Sequence, residues 1–163
     1  MPENPQVSGC FLGFDFGFRR IGIAVGRSET GTASALHTIS NKASPDWQRI
    51  ERLVDEWKPA GFVIGLPLDP EGAETKMSQA ARGFGRALEK RFERPSFYFD
   101  ERLSSHGAAE RFVQMRSSGL ARRKDASKLD AMAAQIIVEN WLQFIKPVNH
   151  RSGPENDPGD DAS

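Results

Sequence analysis

The sequence has few of the residues that build disulfides, metal–sulfur sites or membrane spans. It holds one cysteine, Cys10, in 163 residues, so an internal disulfide cannot form. Its three histidines are scattered, which together with the single cysteine argues against a zinc site of the Cys/His type. No run approaches the roughly 18 apolar residues of a spanning helix, and the opening MPENPQVSG lacks the features of a secretory signal. We therefore expect a cytoplasmic protein that does not contact a membrane.

The chain also lacks net charge, because 22 Lys and Arg balance 22 Asp and Glu. The charge is unevenly distributed along the sequence. Residues 102–128 contain seven basic and two acidic side chains, whereas residues 151–163 contain one arginine and four acids. A neutral total can therefore hide a basic face and an acidic tail.

The length and composition predict one globular domain. A chain with 38% hydrophobic and 27% charged residues falls in the ordinary range for a folded protein. The expected organisation is a flexible N-terminus over residues 1–9, a single domain over residues 10–146, and a disordered acidic tail over residues 147–163.

Hydrophobic patterning predicts three strands followed by alternating helices and strands. The first three strands are joined by short turns, as in an antiparallel meander, and helices join the later ones, which should therefore run parallel. The expected fold is α/β, with a mixed five-stranded sheet and helices on both faces. Strands are predicted at 10–16, 21–26, 32–39, 61–65 and 96–99. Helices are predicted at 45–58, 73–92, 104–115 and 126–145.

Three acidic residues lie where folding alone does not require a carboxylate. Asp15 interrupts a strand of Phe, Leu and Gly, although aspartate is a poor strand former. Glu101 follows the predicted strand SFYF, and Asp130 lies on a helix among apolar neighbours. The ends of neighbouring parallel strands and a helix packed across them can bring such residues into one pocket.

Each of these acids also has a structural interpretation. Asp15 could cap the turn before Gly17. Glu101 could pair with Arg102 or cap a following helix, and Asp130 could pair with a nearby basic residue at a solvated edge. Taken singly, the structural role is favoured for Glu101 and Asp130. The three acids together are more specific than any one of them.

A cluster of carboxylates predicts a bound cation, because like charges in one pocket repel each other unless they are neutralised. A set of oxygen ligands without His or Cys suits Mg²⁺ or Mn²⁺. Two such ions can activate water and stabilise the leaving oxygen in phosphodiester hydrolysis. Asp15, Glu101 and Asp130 are therefore the predicted catalytic and metal-binding residues.

Six basic residues are candidates for binding a nucleic-acid backbone, since a nuclease must bring a polyanion to an acidic pocket. Two follow the Asp15 strand, one follows Glu101 and three form a run in a polar segment. The alternative is a solvated surface charge for five of them, and for Arg102 it is orienting the Glu101 carboxylate. We also expect recognition of backbone and shape, because no aromatic platform for bases is evident. The six residues are Arg19, Arg20, Arg102, Arg122, Arg123 and Lys124.

The sequence resembles the YqgF (RuvX) family of bacterial RNase H-like proteins, which are described as Holliday-junction resolvase-like and as pre-16S rRNA nucleases. The resemblance spans about Phe11 to Leu142 and rests on segments in the expected order. These segments are LGFDFGFRRIGIAVG, GTASALHTI, VIGLPLDPEGAET, FDERLSS and KLDAMAAQIIVENWL. One departure from the family pattern is a bulkier first turn, which carries Phe16 and Phe18.

The resemblance implies an RNase H-like fold and a magnesium- or manganese-dependent nuclease that matures the 5′ end of pre-16S rRNA on a ribosome precursor. The family's three catalytic acids fall on Asp15 in GFDFG, Glu101 in DER and Asp130 in LDAMAA. Two alternatives stay open, a resolvase of four-way DNA junctions and a non-catalytic RNA- or ribosome-binding module. Resolvases act as symmetric dimers, and we expect a monomer or a weak homodimer.

Overall fold

A computed structural model describes residues 9–103 and the helix at 123–150, with side chains of that helix described for residues 128–145. The predicted helix at 104–115 lies outside the described residues, as do residues 1–8 and 151–163. The strands are β1 (Cys10–Phe16), β2 (Arg20–Arg27), β3 (Thr32–Ser40), β4 (Gly61–Leu66) and β5 (Ser96–Asp100). The helices are α1 (Trp47–Trp57), α2 (Lys76–Phe92) and α3 (Arg123–His150), with a 3₁₀ turn at Glu101–Leu103.

The five strands form one sheet in the order β3-β2-β1-β4-β5. The pairs β1–β2 and β2–β3 are antiparallel, because short turns join these strands. The pairs β1–β4 and β4–β5 are parallel, and α2 provides the crossover between β4 and β5. The predicted mixed sheet, meander first and parallel strands second, is confirmed.

Helices cover both faces of the sheet, as predicted, and divide its core into two layers. On one face, Leu12 and Phe14 of β1 pack with Ile50 of α1 and Phe84 of α2. On the other, Phe11 packs edge-on against Trp141 of α3, with ring centroids 5.0 Å apart. Because strand side chains alternate between faces, Asp15 shares the α3 face with Phe11.

Helix α2 begins at Lys76, whereas the sequence pattern predicted residue 73. The later start has a local cause. The Thr75 hydroxyl accepts a hydrogen bond from the Ser78 backbone N–H at 3.0 Å. The Ser78 hydroxyl accepts one from the Thr75 backbone N–H at 2.7 Å. This reciprocal capping box makes Thr75 the N-cap. Upstream, the Asp69 carboxylate accepts the amides of Glu71 and Ala73, which holds that stretch in a turn.

The described part of the chain contains no helix that combines the length and the apolar character needed to cross a membrane.

Candidate active site

Asp15 lies near the end of the central strand β1 and is partly buried. Its backbone partner across the antiparallel ladder is Gly22 of β2. On the other side, β1 runs parallel to β4, and Phe14 is paired with Ile64. Asp15 is thus the next residue along from that pair, beside Gly65. Two glycines flank this carboxylate on neighbouring strands.

The backbone of Asp130 lies directly against Gly22 of β2. A Cβ atom at Gly22 would collide with the backbone carbonyl oxygen of Asp130. Helix α3 therefore packs directly on the backbone of β2, and only glycine permits this approach. Because Gly22 is the ladder partner of Asp15, this contact places Asp130 beside Asp15.

Glu101 lies on the other side of Asp15 from Asp130, close to Gly65 of β4. It follows β5 in the 3₁₀ turn. A Cβ atom at Gly65 would lie 2.6 Å from the Glu101 carboxylate oxygen Oε2 and equally close to Ile137 of α3. Glu101 therefore lies over the strand position next to Asp15, on the face that α3 covers.

The environment of Glu101 opposes its negative charge. Burial of the carboxyl group, followed by the negative charge of Asp100, raises the pKa of Glu101 to about 6. A nearby cation would reverse this effect, because it favours the ionised carboxylate.

The structure thus brings the three predicted acids to the same end and the same face of the sheet. Asp15 is central, Asp130 lies over one flanking glycine and Glu101 over the other. The ligand types suit Mg²⁺ or Mn²⁺. Among residues 9–103 and 128–145, however, no group of three or more His, Cys, Asp or Glu is gathered closely enough to hold a metal ion. The metal-binding role of the three acids stays a prediction.

Asp130 is engaged by Arg20, the first residue of β2. The Arg20 Nε donates to Oδ2 of Asp130 at 2.6 Å. The sequence suggested a partner for Asp130 close to it in the chain, whereas the observed partner is 110 residues away. The role of Arg20 in binding substrate stays a prediction, and in this conformation its guanidinium neutralises a candidate metal ligand.

Asn41 stabilises the turn between β1 and β2 with two hydrogen bonds. The buried Asn41 side chain donates from Nδ2 to the Gly17 carbonyl at 2.7 Å, and the Asn41 backbone N–H donates to the Arg19 carbonyl at 2.8 Å. These two bonds fix the path of the chain between Asp15 and Arg20. Sequence reasoning missed Asn41, because an asparagine after a strand has no pattern that distinguishes it from an ordinary turn residue.

Arg102 pairs with Asp100 and not with Glu101. Its guanidinium makes a bidentate contact with Asp100, with Nη2 2.6 Å from Oδ2, and also donates to the Pro70 carbonyl at 3.4 Å. It lies against Gly72, which has a φ of +90°. Arg102 thereby joins the end of β5 to the loop after β4. Its contact with substrate stays a prediction.

Of the remaining predicted substrate residues, Arg19 alone has a described side chain. Arg122 lies outside the described residues. Arg123 and Lys124 begin helix α3, and their side chains are likewise outside the described part. Arg19 is exposed on the turn that follows Asp15.

Sequence comparison identifies the family. The profile of the family described as "RuvX: Holliday junction resolvase" matches residues 9–144. The chain belongs to the RuvX family. A relative from Hydrogenovibrio crunogenus is 42% identical over 85% of this chain and 97% of its own length. A relative from Xanthomonas euvesicatoria is 44% identical over 87% of this chain and 94% of its own. Both carry the name "Putative pre-16S rRNA nuclease".

Comparison of structures confirms the RNase H-like fold of this RuvX member. The Thermus thermophilus RuvC solved with a Holliday junction substrate matches with a TM-score of 0.56 and 17% identity, over 85% of this chain and 96% of that one. The yeast mitochondrial Holliday junction resolvase Ydc2 matches with a TM-score of 0.53 and 13% identity, over 90% and 83%. At these identities the likeness concerns the fold.

Proposed function

We propose that this RuvX-family chain is a metal-dependent nuclease that hydrolyses phosphodiester bonds with Asp15, Glu101 and Asp130. The observation that supports this most strongly is the approach of three acids from distant segments to one end of the sheet, on the face that α3 covers. Burial opposes the negative charge of the Glu101 carboxylate and raises its pKa to about 6, and a bound cation would favour its ionised form.

In this proposal, the chain's own residues hold the ions and the substrate in place. Asp15 on the rigid central strand, Glu101 after β5 and Asp130 on α3 would hold Mg²⁺ or Mn²⁺. When bound, a pair of ions there would supply an activated water and would stabilise the leaving oxygen. Arg19 and Arg20, on the turn fixed by Asn41, would bind phosphates of the substrate.

The substrate class that we propose is pre-16S rRNA, cleaved in maturation of its 5′ end during ribosome assembly. The support comes from the names of relatives that are 42–46% identical over nearly their whole length. The proposed partners are then structured RNA and the ribosome precursor, and the proposed location is the cytoplasm.

The description of the family favours a second candidate, a resolvase of four-way DNA junctions. A resolvase cuts two strands symmetrically and needs a two-fold dimer. We propose a monomer or a weak homodimer, so the mass of the chain in solution bears on this choice.

A cleavage assay distinguishes these functions. The purified chain with Mn²⁺ is offered a pre-16S rRNA fragment and a four-way DNA junction, with Asp15→Asn in parallel. Asp55→Asn is the control, because Asp55 is exposed on α1, on the opposite face of the sheet. The nuclease proposal expects cleavage of the RNA by the wild type and the control only. Cleavage by Asp15→Asn at the wild-type rate would refute the site, and cleavage of the junction alone would identify a resolvase. RNA binding without cleavage would favour a non-catalytic module.

A further inference from the structure

One aromatic ring is exposed at the tip of the turn beside the candidate active site. Phe18 has 54% of its surface exposed and lies three residues after Asp15. A single exposed apolar side chain is ordinary on a protein surface. The surroundings of Phe18, however, constrain its position and place positive charge next to it, which an incidental surface residue does not require.

Phe18 is the exposed end of a row of aromatic rings anchored in the core under α1 and α2, on the face of the sheet opposite the Asp15 side chain. Its ring lies edge-on to Phe16, with centroids 6.4 Å apart and an interplanar angle of 78°. Phe16 packs on Phe84 at 5.2 Å, and Phe84 stacks on Trp47 at 5.7 Å. A ring supported in this way loses little conformational entropy when a ligand stacks on it.

The backbone that carries Phe18 is equally constrained. Asn41 donates hydrogen bonds to the carbonyl groups of the residues before and after Phe18, which are Gly17 at 2.7 Å and Arg19 at 2.8 Å. The turn therefore presents the Phe18 ring from a fixed position.

The charges next to Phe18 suit a nucleic-acid strand. Arg19 follows directly and is exposed, and the next residue, Arg20, is exposed while its guanidinium pairs with Asp130. Three residues of chain span at most about 11 Å, which limits the distance between the Cα atoms of Asp15 and Phe18. At about 3.4 Å per stacked nucleotide, this upper limit on the Cα separation corresponds to about three nucleotides.

We propose that Phe18 is a stacking platform for an unpaired base within about three nucleotides of the phosphate that is cleaved. The inference rests on the proposed function and extends it, because it assigns this chain a preference for an unpaired nucleotide beside the cut. Stacking on an aromatic ring tolerates any base, since every base has a π-face. The proposal adds selection of unpaired bases by an exposed ring to the expected recognition of backbone and shape.

Binding without added divalent metal tests the proposal separately from cleavage. The probes are a blunt RNA duplex and the same duplex with a single-stranded extension that contains 2-aminopurine. Phe18→Ala is expected to weaken binding to the extended RNA by about five- to a hundredfold. Binding to the blunt duplex stays unchanged. The quenching of 2-aminopurine fluorescence by the wild type is lost in the variant, whereas Phe18→Trp retains both affinity and quenching.

Phe144→Ala is the matched control. Phe144 has 57% of its surface exposed and lies edge-on to Phe99 at 5.7 Å, so it resembles Phe18 in exposure and packing. It lies 14 residues beyond Asp130, about 21 Å along the axis of α3. Phe144→Ala is expected to bind both RNAs like the wild type.

Phe18→Leu separates stacking from apolar contact, because leucine keeps the bulk without the ring. It is expected to lose affinity for the extended RNA as Phe18→Ala does. Wild-type binding by Phe18→Leu would overturn the proposal. Equal losses on the two RNAs, equal losses in the Phe144 control, or no binding by the wild type would also overturn it.

The two proposals can fail independently in these experiments. A chain that binds extended RNA through Phe18 and never cleaves would refute the nuclease and leave the platform intact. A chain that cleaves while Phe18→Leu binds like the wild type would refute the platform alone.

Discussion

The Arg20 guanidinium lies 2.6 Å from the carboxylate of Asp130 and joins β2 to α3 at the candidate active site. Asp130 is thus paired with a cation of the chain itself, and among the described residues the three carboxylates are not gathered closely enough to hold a metal ion. The side chains of Arg20 and Asp130 are 46% and 17% exposed, so water screens their attraction. Ion pairs of this kind contribute about 1 kcal/mol or less, and a divalent cation can therefore compete with Arg20 for Asp130.

Replacing Arg20 should accordingly strengthen metal binding. Arg20→Gln is expected to bind Mn²⁺ about two- to fivefold more tightly than the wild type, because Asp130 loses its competing cation. Titration calorimetry with Mn²⁺ measures the change. Arg19→Gln is the control, since it removes an adjacent positive charge without breaking the ion pair. Weaker Mn²⁺ binding by Arg20→Gln would show that Arg20 supports the metal site.

The close approach of α3 to β2 predicts a stability cost at Gly22. In Gly22→Ala the added Cβ collides with the Asp130 carbonyl, and overpacking of this kind costs about 1–3 kcal/mol in the free energy of unfolding. Urea denaturation measures this loss, and the cleavage rate should fall with it because Asp130 is displaced.

Gly83→Ala is the matched control for this experiment. A Cβ at Gly83 in α2 would meet only the end of the Arg86 side chain, at 3.8 Å. Alanine is favoured over glycine within a helix by about 0.5–1 kcal/mol, so this variant should be more stable than the wild type. Gly22→Ala with wild-type stability would contradict the described packing.

The Cys10 thiol is expected to be unreactive in the folded protein. Burial raises its pKa and outweighs the attraction of Arg27 for the thiolate, and the charge of Glu29 raises the pKa further. The reactive thiolate is therefore scarce near neutral pH. A chromogenic disulfide reagent should label Cys10 slowly at pH 8 and completely in urea. Rapid labelling of the native protein would contradict the burial of β1.

The bidentate contact of Arg102 predicts a pH-dependent role in stability. Hydrogen bonds from Arg102 hold the pKa of Asp100 below its ordinary value of 3.8. A carboxyl group whose pKa is lowered on folding stabilises the fold above its unfolded pKa and loses that contribution as the pH falls. Arg102→Gln should therefore melt below the wild type at pH 7, and the difference should shrink below about pH 4.

The same variant separates the two roles considered for Arg102. Reduced RNA affinity with an unchanged melting temperature at pH 7 would mean that Arg102 serves the substrate and contributes nothing measurable to the fold.

Much of the candidate site is predictable from the sequence, because acids stand out in apolar elements. Asp15 interrupts a run of Phe, Leu and Gly, and alternation along β1 determines its face. Glu101 and Asp130 were identified by similar arguments. Their approach to Asp15 depends on Gly22 and Gly65, whose role emerges only when the strands are in register.

Other features were not predictable, because they depend on contacts between distant segments. The partner of Asp130 is 110 residues away, beyond any helical or strand periodicity. The start of α2 was misplaced because a Thr–Ser capping box ended the turn three residues later than the apolar pattern indicated. The bulk of Phe18 is visible in the sequence, whereas its exposure is seen only in the fold.

The rate of Mn²⁺-dependent cleavage of a pre-16S rRNA fragment tests the central claim most directly, when it is measured for Asp15→Asn, Glu101→Gln, Asp130→Asn and the triple variant. Residues that act as a unit have strongly non-additive effects on catalysis. If the three carboxylates serve one site, each single variant should lose nearly as much activity as the triple variant. Losses that multiply independently, or any single variant that cleaves like the wild type, would contradict the shared site.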